Sequence, residues 1–146
     1  MSVLQTLNSG PVEYVGSGVN HEGEHFEGTL RVQRLLEGAA VMLHYEAKLQ
    51  NNEVAHAECT LLAPDMSGTL TLWPVMTGLP GVLPHRAVAE TDSQVTFASG
   101  SRANREVFRE EITITCHSDG ALTYSHAWGL PGGTFEDRSS CLLRPR

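Results

Sequence analysis

Apolar and polar residues alternate along most of this chain, most clearly between Ala39 and Ala63. Val41, Leu43, Tyr45, Ala47 and Leu49 alternate with Met42, His44, Glu46 and Lys48. After Gln50-Asn51-Asn52, the residues Ala55, Ala57, Cys59 and Leu61 alternate with His56, Glu58 and Thr60. Side chains of a strand point to opposite faces in turn, so the stretch reads as a long β-hairpin with one apolar face. A three-residue loop with Asn52 in the left-handed conformation brings the two apolar faces together. That register sets His44 opposite Glu58 and Glu46 opposite His56. Tyr45 and Cys59 then belong to the interior, and the two histidines and two carboxylates to the outer face.

Shorter runs of the same kind fill the rest of the chain. Strands are expected over Val12–Val19, Phe26–Leu35, Thr69–Trp73, Pro84–Glu90, Gln94–Ala98, Arg105–Cys116, Leu122–Trp128 and Thr134–Leu143. Residues 3 to 7 allow one helical turn, which Asn8-Ser9-Gly10-Pro11 ends. Pro74 limits the pairing of the fifth strand. With the hairpin this makes ten strands joined mostly by tight turns, the pattern of an all-β, single up-and-down antiparallel β-barrel spanning residues 1–146. Closure removes the exposed edges that a meander of this length would leave. A two-sheet sandwich is the competing all-β outcome.

In such a barrel the connections after even-numbered strands share one end, and here they are compact. Those after odd-numbered strands share the other end: Asn20–His25, the loop at Asn51, Val75–Leu83, Gly100–Asn104 and Gly129–Gly133. Most of these are longer and rich in Gly and Pro, so a ligand mouth is expected on this rim. The tetrapeptide Gly-Leu-Pro-Gly occurs on it twice, at 78–81 and 129–132, each time shortly after a tryptophan.

Composition narrows the function classes. A chain of 146 residues, 40% hydrophobic and 18% charged, buries enough surface to fold without metal or disulfides. Its formal net charge of −7 and lack of a basic run argue against nucleic-acid or anionic-membrane partners. Cys59, Cys116 and Cys141 make an odd count without a zinc-like spacing, which fits a reducing compartment. The start MSVLQTLNSG has neither the charge nor the apolar core of a signal peptide, and no apolar run is long enough to span a membrane. A soluble, cytoplasmic protein is expected; a homodimer stays open.

Candidate chemistry is sparse. His21-Glu22-Gly23-Glu24-His25 matches the zinc-protease pattern H-E-x-x-H, which works only on a helix. The surrounding Gly18, Gly23 and Gly28 favour a polar loop instead. His44, Glu46, His56 and Glu58 could ligate a transition metal, but on an outer wall they read as cross-strand pairs. Arg105 and Arg109 share a strand face near the rim, where they could fork a carboxylate or pair with Glu106, Glu110 or Glu111. Tyr124, His126 and Trp128 join Tyr45 and Phe97 on the interior side. Their polar tips call for partners, so they mark either core or a partly polar cavity.

Leu4, Leu7, Tyr14-Val15-Gly16-Ser17-Gly18, Gly28-Thr29-Leu30-Arg31-Val32, Leu43-His44-Tyr45-Glu46-Ala47 and Gly68–Trp73 together resemble the calycin superfamily. The nearest likeness is to bacterial lipocalin-like barrels of uncharacterised domain families, related in shape to nitrobindin and more distantly to fatty-acid-binding proteins. The first connection is too short for the helical lid of the latter. Nitrobindin-like barrels hold haem through a late histidine; His126 stands in that part of the chain in a different context, so the role is not carried over. The resemblance implies a non-enzymatic barrel that binds a small hydrophobic or amphipathic molecule, with no cofactor. Trp73, His85, His126 and Trp128 are expected near the mouth, with Tyr45 and Tyr124 deeper. A cupin-like metal enzyme, a haem barrel using interior histidines and a filled barrel acting through partners are the alternatives.

Overall fold

The computed structural model describes residues Met1–Arg146. A short helix α1 (Val3–Ser9) precedes ten strands: β1 (Glu13–Asn20), β2 (His25–Leu35), β3 (Ala40–Leu49), β4 (Val54–Pro64), β5 (Leu70–Met76), β6 (His85–Glu90), β7 (Gln94–Ser99), β8 (Arg109–Cys116), β9 (Leu122–Gly129) and β10 (Glu136–Pro145). Each strand pairs antiparallel with its sequence neighbours, and β1 pairs with β10, so the meander closes into one barrel. The sandwich alternative falls away with that closing ladder, which runs from Tyr14↔Pro145 to Asn20↔Ser139.

One end of the barrel is plugged. Ser2 caps α1 by accepting from the Gln5 backbone N–H at 3.2 Å, while the Gln5 side chain accepts from the Ser2 N–H at 2.8 Å. This reciprocal cap stabilises a helix of two turns that would be marginal alone. Val3 and Leu7 are 0% and 1% exposed and join a core of Leu43, Leu62, Leu72, Ile112, Ile114 and Leu143. Burying each such side chain contributes about 1.5–3 kcal/mol to the fold.

Strands β8, β5 and β4 depart from their sequence-based expectations. Strand β8 begins at Arg109, because Ser101 to Val107 form turns, with the Asn104 amide on the Ser101 carbonyl at 3.0 Å. Strand β5 continues through Pro74 to Met76, where Pro74 lies opposite Thr60 of β4. On its other side β5 meets β6 only at Thr71↔Arg86 and Leu72↔His85, which is where a residue lacking an N–H is tolerated.

The third departure is the register of the β3–β4 hairpin. Its loop is as expected: Leu49 and Glu53 close it through the Leu49 amide and Glu53 carbonyl at 2.9 Å, and Asn52 has φ 68°. Lys48 then pairs with Val54, but Ala47 pairs with His56, so Ala55 is an extra residue, a β-bulge. Beyond it His44 faces Cys59, and Tyr45 faces Glu58. A one-residue slip moves every side chain of a strand to its other face. His56, Glu58 and Thr60 therefore enter the barrel, while Cys59 is exposed on the outer wall. The expected pairs His44–Glu58 and Glu46–His56 do not form. His44 instead lies 3.3 Å from the Gln33 amide oxygen, and Glu46 lies 3.5 Å from Lys48.

Candidate functional site

The interior half away from α1 holds a connected polar cluster centred on Glu58. Its carboxylate is wholly shielded from solvent and receives four donors. Thr60 Oγ1 at 2.7 Å and the Tyr124 hydroxyl at 3.1 Å donate to Oε2. His126 Nε2 at 2.9 Å and His56 Nε2 at 3.2 Å donate to Oε1. An ionised carboxylate only accepts, so both imidazoles present N–H through Nε2. Burial alone would raise the Glu58 carboxyl; hydrogen bonds from His126 and His56 outweigh it and hold the group well below the usual carboxylate range. His126 is moved the other way: burial opposes its charged form, but its bond to Glu58 and the charges of Glu58 and Glu110 raise it. Burial, with the Glu58 charge, pushes the Tyr124 hydroxyl far up, so it stays a donor.

Around this cluster the rings pack closely. Tyr45 lies 4.7 Å from Tyr124 and 6.1 Å from His126 between ring centroids, and His56 and His126 meet edge-on at 5.1 Å. Tyr45 reaches this position because Gly28 on β2 has no side chain. A Cβ there would stand 2.5 Å from Cys141 Sγ and 3.4 Å from the Tyr45 ring.

Above the cluster lies a cavity of about 320 Å³. All five connections of the loop-rich end reach it: His21, Ala55, Leu79, Phe108 and Leu130 come from successive loops or their edges. Its walls expose more apolar than polar surface, and His56, Glu110, His126, Arg138 and Ser139 are among the polar groups that line it.

The residues singled out from the sequence are distributed unevenly about it. Tyr45, His126 and Trp128 line the cavity. Trp128 is held by the Arg138 guanidinium, 4.1 Å from its ring centroid, and by His21 at 5.5 Å. Tyr124 stands behind Glu58. His85 is fully buried, its Nδ1 2.6 Å from the Leu83 carbonyl and its Nε2 2.8 Å from Glu110 Oε1, so it touches the cavity only through Glu110. Trp73 is not at the mouth: its neighbours Leu72 and Pro74 face inward, and Trp73 lies on the outer wall beside Pro64 and Arg86.

His56, Glu58 and Glu110 are site residues that the sequence reading placed outside or left unassigned. The signal that could have found the first two was present. Tyr45, Tyr124 and His126 on interior positions each need a buried partner, and β4 offers Glu58 and Thr60.

The other motifs resolve structurally. Residues 21 to 24 form a turn, so the H-E-x-x-H pattern has no helix to act on. Arg109 neither forks a carboxylate nor pairs with an acid. It is buried under the β9–β10 loop and donates to the carbonyls of Leu130 at 2.7 Å and Gly133 at 2.6 Å. Arg105 donates to the Gly132 carbonyl at 3.3 Å, and Glu111 is paired with Arg102 at 2.6 Å.

No protein-family model and no curated protein matches the chain. Among solved structures it is similar to Rv2717c from M. tuberculosis, with a TM-score of 0.68 at 14% identity, covering 98% of this chain and 96% of that one. It is also similar to two redesigned β-barrels, mFAP0 and mFAP1, each bound to DFHBI, with TM-scores of 0.51 and 0.50 at 11% identity. The first covers 94% of this chain and 98% of its own, the second 99% of both. At such identities the likeness establishes the fold, a closed antiparallel β-barrel, and nothing finer.

Proposed function

We propose that this barrel binds, without chemical conversion, a small and partly apolar molecule in the cavity at its loop-rich end. The observation that carries the reading is the division of the interior. One half is filled by α1 and the apolar core, and the other is an open chamber walled by Phe26, Ala47, Met76, Phe108 and Trp128 over a polar floor. Ligand sites are commonly of this kind, apolar clefts with a few placed polar groups, of roughly 300–1,000 Å³. At about 320 Å³ the chamber suits a compound of one or two rings better than a long acyl chain.

In this reading Tyr45, Met76, Phe108 and Trp128 contact the apolar part of the ligand. His126, His56 and Glu110 meet its polar end, while Tyr124 and His85 position the groups that do so. That mFAP0 and mFAP1 hold DFHBI supports the idea that a barrel of this shape can serve such a purpose. We read the up-and-down closure as a lipocalin-like, calycin-type relationship, and the acidic surface as that of a soluble, cytoplasmic protein that binds neither nucleic acid nor membrane.

The test uses 8-anilinonaphthalene-1-sulfonate as a generic amphipathic probe, with Trp73→Phe leaving Trp128 as the one tryptophan. Saturable quenching of Trp128 that Ala47→Phe abolishes is expected. Absence of saturable quenching, or quenching indifferent to Ala47→Phe, would overturn the reading.

A further inference from the structure

The floor of the cavity has a second property, independent of whether an organic molecule fills it. Glu58 Oε1 is approached by two imidazole nitrogens at once, His56 Nε2 from its own strand and His126 Nε2 from β9. All three atoms lie within 4.8 Å of one another. We propose that His56, Glu58 and His126 form a binding site for one divalent transition-metal ion of the zinc type, with an open coordination position facing the cavity.

Four features support this. Two imidazoles and one carboxylate form a donor set that suits borderline divalent ions and leaves room for a further ligand. Ligand bonds of about 2.1 Å place donor atoms of a tetrahedral site roughly 3.4 Å apart. The Nε2–Oε1 spacings of 3.2 and 2.9 Å are already close to that, and a modest ring rotation of His56 spreads the three atoms around an ion.

The carboxylate is also held as a metal ligand usually is. Thr60 and Tyr124 both donate to Oε2, which fixes the group and leaves Oε1 aimed at the imidazoles. His126 has Ser139 Oγ 3.5 Å from Nδ1, a partner for the proton that a metal at Nε2 would leave on the other nitrogen.

Access is the fourth feature. The His56 side chain is 26% exposed and, like His126, borders the cavity, whereas Glu58 is closed off beneath them. An ion entering from the loop end would meet His56 first and replace the N–H hydrogens now lying between nitrogens and carboxylate. A net charge of −7 favours capture of a cation.

Chelator-stripped protein is titrated with Co²⁺, read by its visible ligand-field absorption, with Zn²⁺ as competitor. One ion per chain is expected, with intense tetrahedral-type bands that Zn²⁺ removes. His56→Ala, at a partly exposed position and so compatible with folding, and the isosteric Glu58→Gln should each weaken binding at least about tenfold. Circular dichroism verifies that each variant is folded. His25→Ala and Cys59→Ser should leave binding unchanged.

Failure of Co²⁺ to bind at micromolar concentration would overturn the site. So would binding that survives His56→Ala, or that disappears with His25 or Cys59. Probe binding to the cavity is measured separately in the presence of chelator, so the metal site and the organic-ligand site stand or fall apart.

Discussion

Glu58 and His126, 68 residues apart in the chain, meet across the barrel with 2.9 Å between Oε1 and Nε2. The carboxylate also accepts hydrogen bonds from Thr60, Tyr124 and His56, so its removal strands several buried polar groups at once. Glu58→Ala should therefore destabilise by about 3–5 kcal/mol, the cost of breaking a buried pair. Glu58→Gln keeps the volume and one acceptor, and should cost less, about 1.5–3 kcal/mol. Urea unfolding of the metal-free proteins measures both; equal, small losses would mean that the cluster does not hold the fold.

The same pair sets a pH window. Glu58 titrates below its ordinary 4.5 in the folded protein, so its stabilisation is complete above 4.5 and is lost as pH falls from there. His126 titrates above its ordinary 6.5, so its stabilisation is complete below 6.5 and is lost as pH rises through the shifted value. Wild type minus Glu58→Gln should thus show a stability difference that is largest between 4.5 and 6.5 and shrinks on both sides. A difference that keeps growing toward alkaline pH would contradict the coupling.

The barrel was legible in the sequence because its signals are local. Period-two alternation, Gly and Asn at turns and the compact even-numbered connections act within a few residues, and together they give ten strands near their true limits. The site was half legible. Tyr45, His126 and Trp128 follow from alternation within single strands, which counts faces correctly as long as no residue is inserted. Ala55 breaks that count inside β4. Alanine carries no signature of a bulge, and the residues Ala57, Cys59 and Leu61 form a more apolar row than His56, Glu58 and Thr60. Burial of polar groups decides against that row because the opposite strands supply Tyr124 and His126 as partners, a long-range fact that no local pattern holds. Trp73 is expected at the mouth beside the Gly-Leu-Pro-Gly loop that follows it, but the parity of its strand, with Leu72 and Pro74 inward, turns it outward.

Deleting Ala55 tests whether the bulge alone sets the hairpin's register. Without it, Lys48↔Val54 is followed directly by Ala47↔His56, and every later pair is kept. The shortened protein should fold with His56 and Glu58 still inside, and Cys59 should react with a thiol reagent as fast as in wild type. Protection of Cys59 would show that the strand had slipped to bury its more apolar row.

Arg109 and Gly129 provide the last prediction. The guanidinium is buried without a carboxylate and fastens the β9–β10 loop to β8 through two carbonyls. It lies flat against Gly129, where a Cβ would stand 2.6 Å from the guanidinium carbon. Gly129→Ala must therefore push the arginine off its acceptors, at about 1–3 kcal/mol for an overpacked buried site. Since Leu130 borders the cavity, the released loop should also weaken probe binding. Arg109→Lys retains charge but cannot span both carbonyls with a planar fork, so it should reproduce the loss of binding with a smaller loss of stability. If Gly129→Ala left both stability and the Trp128 response unchanged, the clamp would be irrelevant to the mouth.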